Sequence, residues 1–360
     1  MAISPRVLAT ASAHPPYCYA QRDVLRFARQ HLRVRGSGDP GTDEKYDARV
    51  ERLFAAARVE HRQSVVDLDD YYALPRSTGE RMAAYQGAAY ALARDATADC
   101  LERARMDASE VTDLIIVSCT GYAAPGLDIH IARDFGMSSH VRRVVVGHMG
   151  CFGAVVGLRQ ALAVVRAYAG AKVALVSVEL CSLHFAPEMG IEGMTGFALF
   201  GDAGAAVLLA AEDRGHGPVL VDAHCAADFA TSDQMSWTIT DQGFLMGLSP
   251  RVPVTLRRQV GPAVRDLLAP HGLTTRDVAH WLIHPGGPSV LEAIQGRLEL
   301  SEEQMEPSWS VLRDHGNCSS ATVLLILDDL VRSGRTRPGE WGVMMAFGPG
   351  LTLETCLLRF

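Results

Sequence analysis

A cysteine set between an apolar strand-like run and a long apolar helix-like run is the first residue in this chain whose surroundings suggest chemistry. Cys151 lies in VVVGHMGCFGAVVGLRQALAVV. Val144 to Val146 reads as a strand, Gly150 belongs to a short turn, and a helix begins at once. That puts the thiol at or near a helix N-terminus, where orphan N–H groups and the helix dipole favour a thiolate. His284 ends the strand-like WLI and precedes Pro-Gly-Gly-Pro. It therefore sits on a tight turn at a strand end, where α/β layers build their sites. Asn317 follows Gly316 and leads into CSSATVLLILDDL. Each also has an ordinary structural reading: a buried core thiol, a turn histidine bonded to backbone, a helix N-cap.

Together the three suit one chemistry. The cysteine holds an acyl group as a thioester, and the histidine raises the thiolate fraction by ion pairing. Histidine and asparagine N–H donors aimed at a thioester oxygen stabilise an enolate. Such donors let a malonyl thioester lose CO2 and leave a carbon nucleophile that attacks the acyl-cysteine. Water must be kept away, because it would quench the enolate and hydrolyse the acyl-enzyme. Phe200, beside Gly201, is the apolar candidate nearest these donors, with plain core packing as its alternative.

Strand-like and helix-like segments alternate along the chain, which argues for α/β layers with parallel pairing. Ala88 to Arg105 reads as a helix; Leu114 to Ser118, Val173 to Val178 and Ala205 to Leu209 read as strands. The halves repeat. Asp107 to Gly121 resembles Leu273 to Gly287, and Met149 to Leu162 resembles His315 to Leu330, both about 166 residues on. Gly150–Cys151 then lies over Gly316–Asn317, and Phe200–Gly201 over Phe347–Gly348. The expectation is a duplicated α/β unit, halves 1–225 and 226–360, changing over near Val219 to Ala230. A pseudo-two-fold axis would bring the two helix N-termini together, with Cys151 and Asn317 facing one cavity. Arg33 to Tyr46, rich in Gly, Asp and charge, reads as an exposed loop.

Composition narrows the class. Charged residues make up 21% of the 360-residue chain and hydrophobic ones 48%, as in a soluble enzyme. A formal charge of −7 argues against non-specific nucleic-acid binding. No apolar run approaches the roughly 18 residues of a membrane span, and the N-terminus lacks the apolar core of a secretory signal. The eight cysteines are scattered, without a C-x-x-C pair or Cys/His metal spacing. They read as reduced, cytoplasmic thiols, with no structural metal.

At these motifs the chain resembles the type III polyketide synthases, the chalcone-synthase-like group of the thiolase superfamily. The likeness spans nearly the whole chain and rests on GHMGCFGA, ELCSLHF, ALFGDAGAAVLL, LIHPGGPSVLEAI, DHGNCSSATVLLIL and AFGPGLTLET. The last departs from the family's GFGPG at Ala346. The resemblance implies a homodimer of the thiolase-like αβαβα fold, a coenzyme A tunnel, malonyl-CoA and a starter acyl-CoA as substrates, and no cofactor. It implies Cys151 as acyl carrier, and His284 and Asn317 as the residues that promote decarboxylation. Phe200 matches a gatekeeper phenylalanine, and the second gatekeeper position falls near Met246, counting back from Val252–Pro253. Cys181 and His184 fall where plant members carry threonines. Gly196 and Ser319 match cavity-lining positions, and Phe347 lies in the C-terminal signature. Gly121 and Tyr122, preceded by Cys119, fall near starter-binding positions. Ala124 replaces a methionine that plant enzymes push into the partner subunit. Trp237 falls near a glycine position that tunes cavity depth. Arg52, Arg58 and Arg62 fall where the family places basic residues for coenzyme A phosphates. Gly286, Gly287 and Pro288 are expected along the pantetheine arm. WTITDQGFLMGLS is similar to bacterial members that make long-chain alkylpyrones and alkylresorcinols, so a fatty acyl starter is the favoured expectation. A small aromatic polyphenol from a malonyl or aromatic starter is the alternative.

Other classes fit less well. A ketoacyl-carrier-protein synthase of the chain-initiating type shares Cys, His and Asn, but carries His-Gln-Ala-Asn where this chain has His-Pro-Gly-Gly. Hydroxymethylglutaryl-CoA synthase needs a glutamate ahead of the cysteine, and Leu114 to Gly121 has none. A cysteine hydrolase needs an open, wet site. A non-catalytic binding protein would not need all three residues.

Overall fold

The computed structural model describes residues 4–31, 40–168, 170–185, 190–212, 214–215 and 217–360. The first half runs β1 (Arg6–Ala13), β2 (Tyr17–Ala20), α1 (Gln21–His31), α2 (Pro40–Ala56), β3 (His61–Ser64), α3 (Leu68–Tyr72), α4 (Thr78–Ala104), β4 (Asp113–Ser118), α5 (Leu127–Asp134), β5 (Arg142–Gly147), α6 (Gly153–Ala167), β6 (Lys172–Leu180), α7 (Gly190–Leu199) and β7 (Asp202–Ala210). The second runs β8 (Val219–Ala227), β9 (Met235–Thr240), β10 (Gly243–Leu248), α8 (Val252–Leu268), β11 (Val278–Ile283), α9 (Pro288–Leu298), α10 (Glu302–His315), α11 (Thr322–Ser333), β12 (Trp341–Gly348) and β13 (Thr352–Arg359).

Pairing makes the duplication explicit. The main sheet has the order β11-β12-β13-β8-β1-β7-β6-β4-β5. In the first half β4 and β6 are parallel, while β6–β7 and β7–β1 are antiparallel. In the second, β11 and β12 are parallel, while β12–β13 and β13–β8 are antiparallel. The two sets join where Arg6 of β1 faces Val219 of β8. The first half adds β5 outside β4. Position 225, expected to end the first half, lies inside β8, and the whole of that strand pairs with β13 of the second half.

The layers follow from which helices touch which strands. Helices α6 and α11 touch one another, and each packs on strands of both halves. The two leaves of the sheet therefore enclose them as a central layer. Helix α4 covers β1, β6 and β7 from outside, and α8 and α10 cover the second leaf. The result is the αβαβα order. Its apolar cores lie under α4, around α6 and α11, and under α8 and α9. Among the described residues no helix is long and apolar enough to cross a membrane.

Local chemistry sets the boundaries. Helix α4 starts ten residues before Ala88, because Ser77 and Glu80 form a capping box there, and it ends where Arg105 turns left-handed. The loop expected over Arg33 to Tyr46 lies partly outside the described residues, and from Pro40 onward the chain is helical.

The repeat is clearest at two turns. Gly150 has φ +78° and Gly316 has φ +70°, so the residues before Cys151 and Asn317 both have a positive φ that favours glycine. A Cβ on Gly150 would stand 2.6 Å from Pro349, and one on Gly316 would stand 2.6 Å from the Leu199 carbonyl oxygen. Each turn thus presses on the opposite half. Gly316→Ala is expected to lower stability by roughly 1–3 kcal/mol for the backbone strain alone, read by guanidinium denaturation. Gly136→Ala, left-handed with nothing within 4 Å of its Cβ position, should lose less. Equal losses would show that the contact with Leu199 is unimportant.

Candidate active site

Cys151 lies between β5 and α6, with Phe152 as N-cap and the helix proper starting at Gly153. It is 9% exposed. The Ser319 and Asn317 side chains bond to its sulfur. Asn317 is held by its backbone: its N–H donates to Leu199 O at 2.8 Å, and its own carbonyl accepts the Gly201 N–H at 3.1 Å. Its Oδ1 accepts the Ser319 N–H at 2.8 Å, which leaves the amide NH2 as the group free to donate. That bond closes a local turn and is not a helix cap, since α11 begins at Thr322 with Ala321 as its N-cap.

His284 follows the last residue of β11, and its N–H donates to Met345 O at 2.9 Å. The Phe347 ring stands edge-on at 5.4 Å. The imidazole is fully buried, yet neither ring nitrogen has a partner. A histidine serving only a turn would bond to backbone, since buried polar atoms are almost always paired. These open nitrogens argue for a ligand-facing role.

Burial decides the resting protonation of the pair. It pushes the Cys151 thiol up to about 12, against the pull of the Ser319 and Asn317 bonds. It pushes His284 down to about 3. The thiolate expected from the helix end is therefore overridden by desolvation, which disfavours both charged forms. Both shifts favour a neutral thiol and a neutral imidazole, and a nucleophile forms as a proton leaves the sulfur.

Two cavities meet at the cysteine. The outer one is about 950 Å³ and is lined by His284, Asn317, Phe347, Gly286, Gly287 and Pro288. The inner one is about 70 Å³ and is lined by Cys119, Cys181, His184, Gly196, Trp237 and Ser319. Cys151, Phe200 and Met246 line both, with Met235, so they stand at the junction.

Other expected residues are elsewhere. Gly121 and Tyr122 do not line either cavity. A Cβ on Gly121 would meet the Tyr85 ring at 2.1 Å, and Tyr122 is 65% exposed. The loop after β4 carries Tyr122 outward. Arg62 is buried, and its guanidinium donates to the carbonyls of Phe197, Ala198 (2.8 Å) and Phe200 (3.0 Å) and to Gln21. It holds the end of α7 and cannot reach a phosphate. Arg52 is exposed, donates to Ala48 O in its own helix, and lies off the outer cavity. Arg58 lines that cavity, but is paired with Glu292 at 2.8 Å and stacked over Trp309. Arg49, one turn earlier in α2, lines it as well and was not expected. Helical spacing from Arg52 could have suggested it.

A buried carboxylate was also missed. Glu179 ends an apolar strand and is fully buried. It accepts from the Cys119 N–H at 3.0 Å, the Thr120 hydroxyl at 2.8 Å and the Ser320 hydroxyl. Burial pushes its pKa up. The Cys119 sulfur lies 3.2 Å from the Ser319 hydroxyl, so this network ends beside the nucleophile. The only signal for it in the sequence is a lone acidic residue inside VSVEL. Among the described residues, no three His, Cys, Asp or Glu side chains gather to hold a metal.

Because burial holds the thiol protonated, alkylation of Cys151 by iodoacetamide should rise about tenfold per pH unit between pH 7 and 9 in the ligand-free enzyme. Peptide mass spectrometry reads the site. A rate already flat from about pH 6 would mean a standing imidazolium–thiolate pair and overturn the neutral assignment.

Residues 4–213 match the family model of the N-terminal domain of chalcone and stilbene synthases, and residues 225–360 match that of the C-terminal domain. The 1,3,6,8-tetrahydroxynaphthalene synthase of Streptomyces peucetius subsp. caesius is 36% identical over 98% of this chain and 93% of its own. An alpha-pyrone synthesis polyketide synthase-like protein of Mycobacterium tuberculosis is 32% identical over 89% of this chain and 83% of its own. The crystal structure of 1,3,6,8-tetrahydroxynaphthalene synthase from Streptomyces coelicolor A3(2), a bacterial type III polyketide synthase, superposes with a TM-score of 0.91. It is 26% identical and covers 99% of both chains. The chain accordingly belongs to the chalcone and stilbene synthase family, the type III polyketide synthases, acyltransferases that carry out malonyl-CoA-dependent condensation.

Proposed function

We propose that this enzyme joins malonyl units on Cys151 into a short polyketide that closes to a small hydroxylated aromatic. The size of the inner cavity carries this reading. At about 70 Å³ it admits only a handful of water-sized groups, at roughly 10–15 Å³ each. So small a space favours a short chain over a long alkyl one. The 36% identity to a tetrahydroxynaphthalene synthase supports the same choice.

The chemistry follows from the neutral pair. As Cys151 attacks the thioester of the incoming acyl-CoA, its proton passes to His284, which returns it to the departing coenzyme A sulfur. Malonyl-CoA then loses CO2. The enolate oxygen is held by the Asn317 amide NH2 and the His284 ring N–H. A neutral imidazole is a competent donor here, in keeping with its depressed pKa. The enolate carbon attacks the acyl-cysteine carbonyl and releases the sulfur, giving a chain two carbons longer on coenzyme A. Arg49 and Arg58 at the outer cavity would meet the coenzyme A phosphates, with Gly286 to Pro288 beside the pantetheine arm. The residues in hand call for no cofactor.

Incubation with malonyl-CoA alone should yield an aromatic product by mass spectrometry. Cys151→Ala should abolish it, and Asn317→Ala or His284→Ala should each slow CO2 release by a factor on the order of 10² or more. Unchanged CO2 release in both would overturn the donor roles. A fatty acyl starter is the second reading, supported by the pyrone-related relative and by two flexible methionines, Met235 and Met246, at the junction. It would prevail if product formed only on addition of long-chain acyl-CoA.

The same reading includes a homodimer. Strand β5 ends the sheet with Val144 at 40% and Val145 at 57% exposed, beside Met149 at 43%. An apolar, unpaired edge of this kind favours pairing with a second copy. Light scattering should report a dimer, and Val145→Lys should shift it toward monomer; a monomeric wild type would refute this.

A further inference from the structure

Helix α8 begins at the rim of the outer cavity. Ser249, Pro250, Val252 and Pro253 line that cavity together with Arg49 and Arg58. The inward face of α8 is apolar and buried, from Val252, Leu256 and Val260 to Val264 and Leu267. Its outward face is cationic. Arg258 and Arg265 follow the 66% exposed Val254 at four and eleven positions, so the three share one stripe. Arg257 flanks the stripe, and Arg251 precedes it at the N-cap. Arg297 of α9 joins from the side, its guanidinium 2.5 Å from where a Cβ on Gly261 would stand. All five arginines are exposed. The 84% exposed ring of Phe229 stands beside the same helix, next to Asp228, whose carboxylate accepts from Gln259 at 2.9 Å.

These charges do not serve the helix that carries them. Among the described residues none of the five arginines has an ion pair. The carboxylates on or beside the elements packed against α8 bond elsewhere: Asp222 to His271, Asp228 to Gln259, Glu292 to Arg58 and Glu354 to Arg159. The first turn of α8 has no acidic residue, no side chain caps it, and its single acidic residue, Asp266, follows the last arginine. A cation at the N-cap opposes the helix dipole, so Arg251 works against its own helix.

The stripe from Arg251 to Arg265 runs about 21 Å at 1.5 Å per residue. A coenzyme A whose phosphates meet Arg49 and Arg58 leaves most of that length uncovered. Arginines around exposed apolar anchors suit a protein partner. The chain as a whole carries −7, so an anionic bilayer or a nucleic acid meets overall repulsion, whereas a small acidic protein can cover the stripe alone.

We propose that this face docks an acidic carrier protein that presents an acyl thioester, on its own phosphopantetheine arm, at the mouth of the outer cavity. The arm, which a carrier shares with coenzyme A, then reaches Cys151 by the same route. The Cys151 sulfur bonds to the acyl carbon, the bond from that carbon to the carrier's pantetheine sulfur breaks, and the cysteine proton ends on the released thiol. The inference rests on the polyketide-forming reading of the site and adds a second acyl donor to it.

The probe is a bacterial fatty-acid acyl carrier protein loaded with malonyl-phosphopantetheine and offered as sole substrate. Wild-type enzyme should release CO2 from it and free the carrier thiol, read by mass spectrometry of the intact carrier. Arg257→Glu with Arg258→Glu should lower kcat/KM for the malonyl-carrier by about tenfold or more, while kcat/KM for malonyl-CoA changes less than about twofold. Arg257→Lys with Arg258→Lys keeps the charge and should stay near wild type. No turnover of the malonyl-carrier by wild type, or an equal fall on both substrates, would overturn the proposal. So would cosedimentation of wild type with phosphatidylglycerol vesicles that the glutamate variant loses while its carrier turnover stands, since the face would then serve a membrane. Should the glutamate variant not fold, salt decides on the wild type. Raising NaCl from about 50 to 300 mM should cut the carrier-dependent rate more steeply than the malonyl-CoA rate, and equal slopes would overturn the docking face. Failure of the underlying reading is separate, because malonyl-CoA itself would then release no CO2.

Discussion

The crossed contact between the two halves is the constraint on which the site depends. Gly150 presses on Pro349 and Gly316 on Leu199, so each half completes the turn that presents the other half's functional residue. Backbone bonds close the lock, since Asn317 exchanges hydrogen bonds with Leu199 and Gly201. A single α/β unit of this kind could offer one helix end and one strand end. Two units, joined at β1 and β8, bring a cysteine and an amide to one point without any long loop. The central helices α6 and α11 are then buried through their first turns, Gly153 to Leu158 except a half-buried Val156 and Thr322 to Asp328, which explains the apolar runs there.

Burial has an electrostatic consequence. Around the cysteine, the low-dielectric interior favours neutral species and also strengthens any hydrogen bond made to an oxyanion. Burial there therefore disfavours charge on both Cys151 and His284. Glu179 and Asp202 fit the same rule. Both are fully buried, both are pushed up in pKa, Asp202 to about 6, and both are surrounded by donors. They organise the chain around the strand ends and leave the His284 ring nitrogens unpartnered.

Much of this was legible in the sequence, for a physical reason. The repeat of glycine, functional residue and apolar helix survives because both turns need a glycine with a positive φ and both helices need an apolar face. The two copies in the sequence therefore point to the pseudo-two-fold axis and to a shared cavity. Misreadings arose where linear position does not reveal direction. Arg62 looks like any basic residue in ERLFAAARVEHR, but β3 turns it inward onto the carbonyls of α7. Tyr122 follows Cys119 by three residues, yet a short loop carries it to the surface. The opposing pull of burial on Cys151 is hidden for a related reason: a helix N-terminus can be inferred from sequence, while the depth at which it is buried cannot.

The proposed catalytic residues and the wall of the inner cavity stand on different kinds of structure. Cys151, His284 and Asn317 stand at the ends of main-sheet strands and central helices, where a shift would disturb both halves at once. The wall of the inner cavity stands on a separate hairpin, joined to the body through side chains and a few polar contacts. Strand pairing spreads a mutation's cost along a ladder, whereas contacts such as the Trp237 indole N–H to Cys119 O and the two bonds of the His184 ring concentrate it at a few residues. A substitution there can therefore alter the cavity wall while leaving the sheet ladder intact.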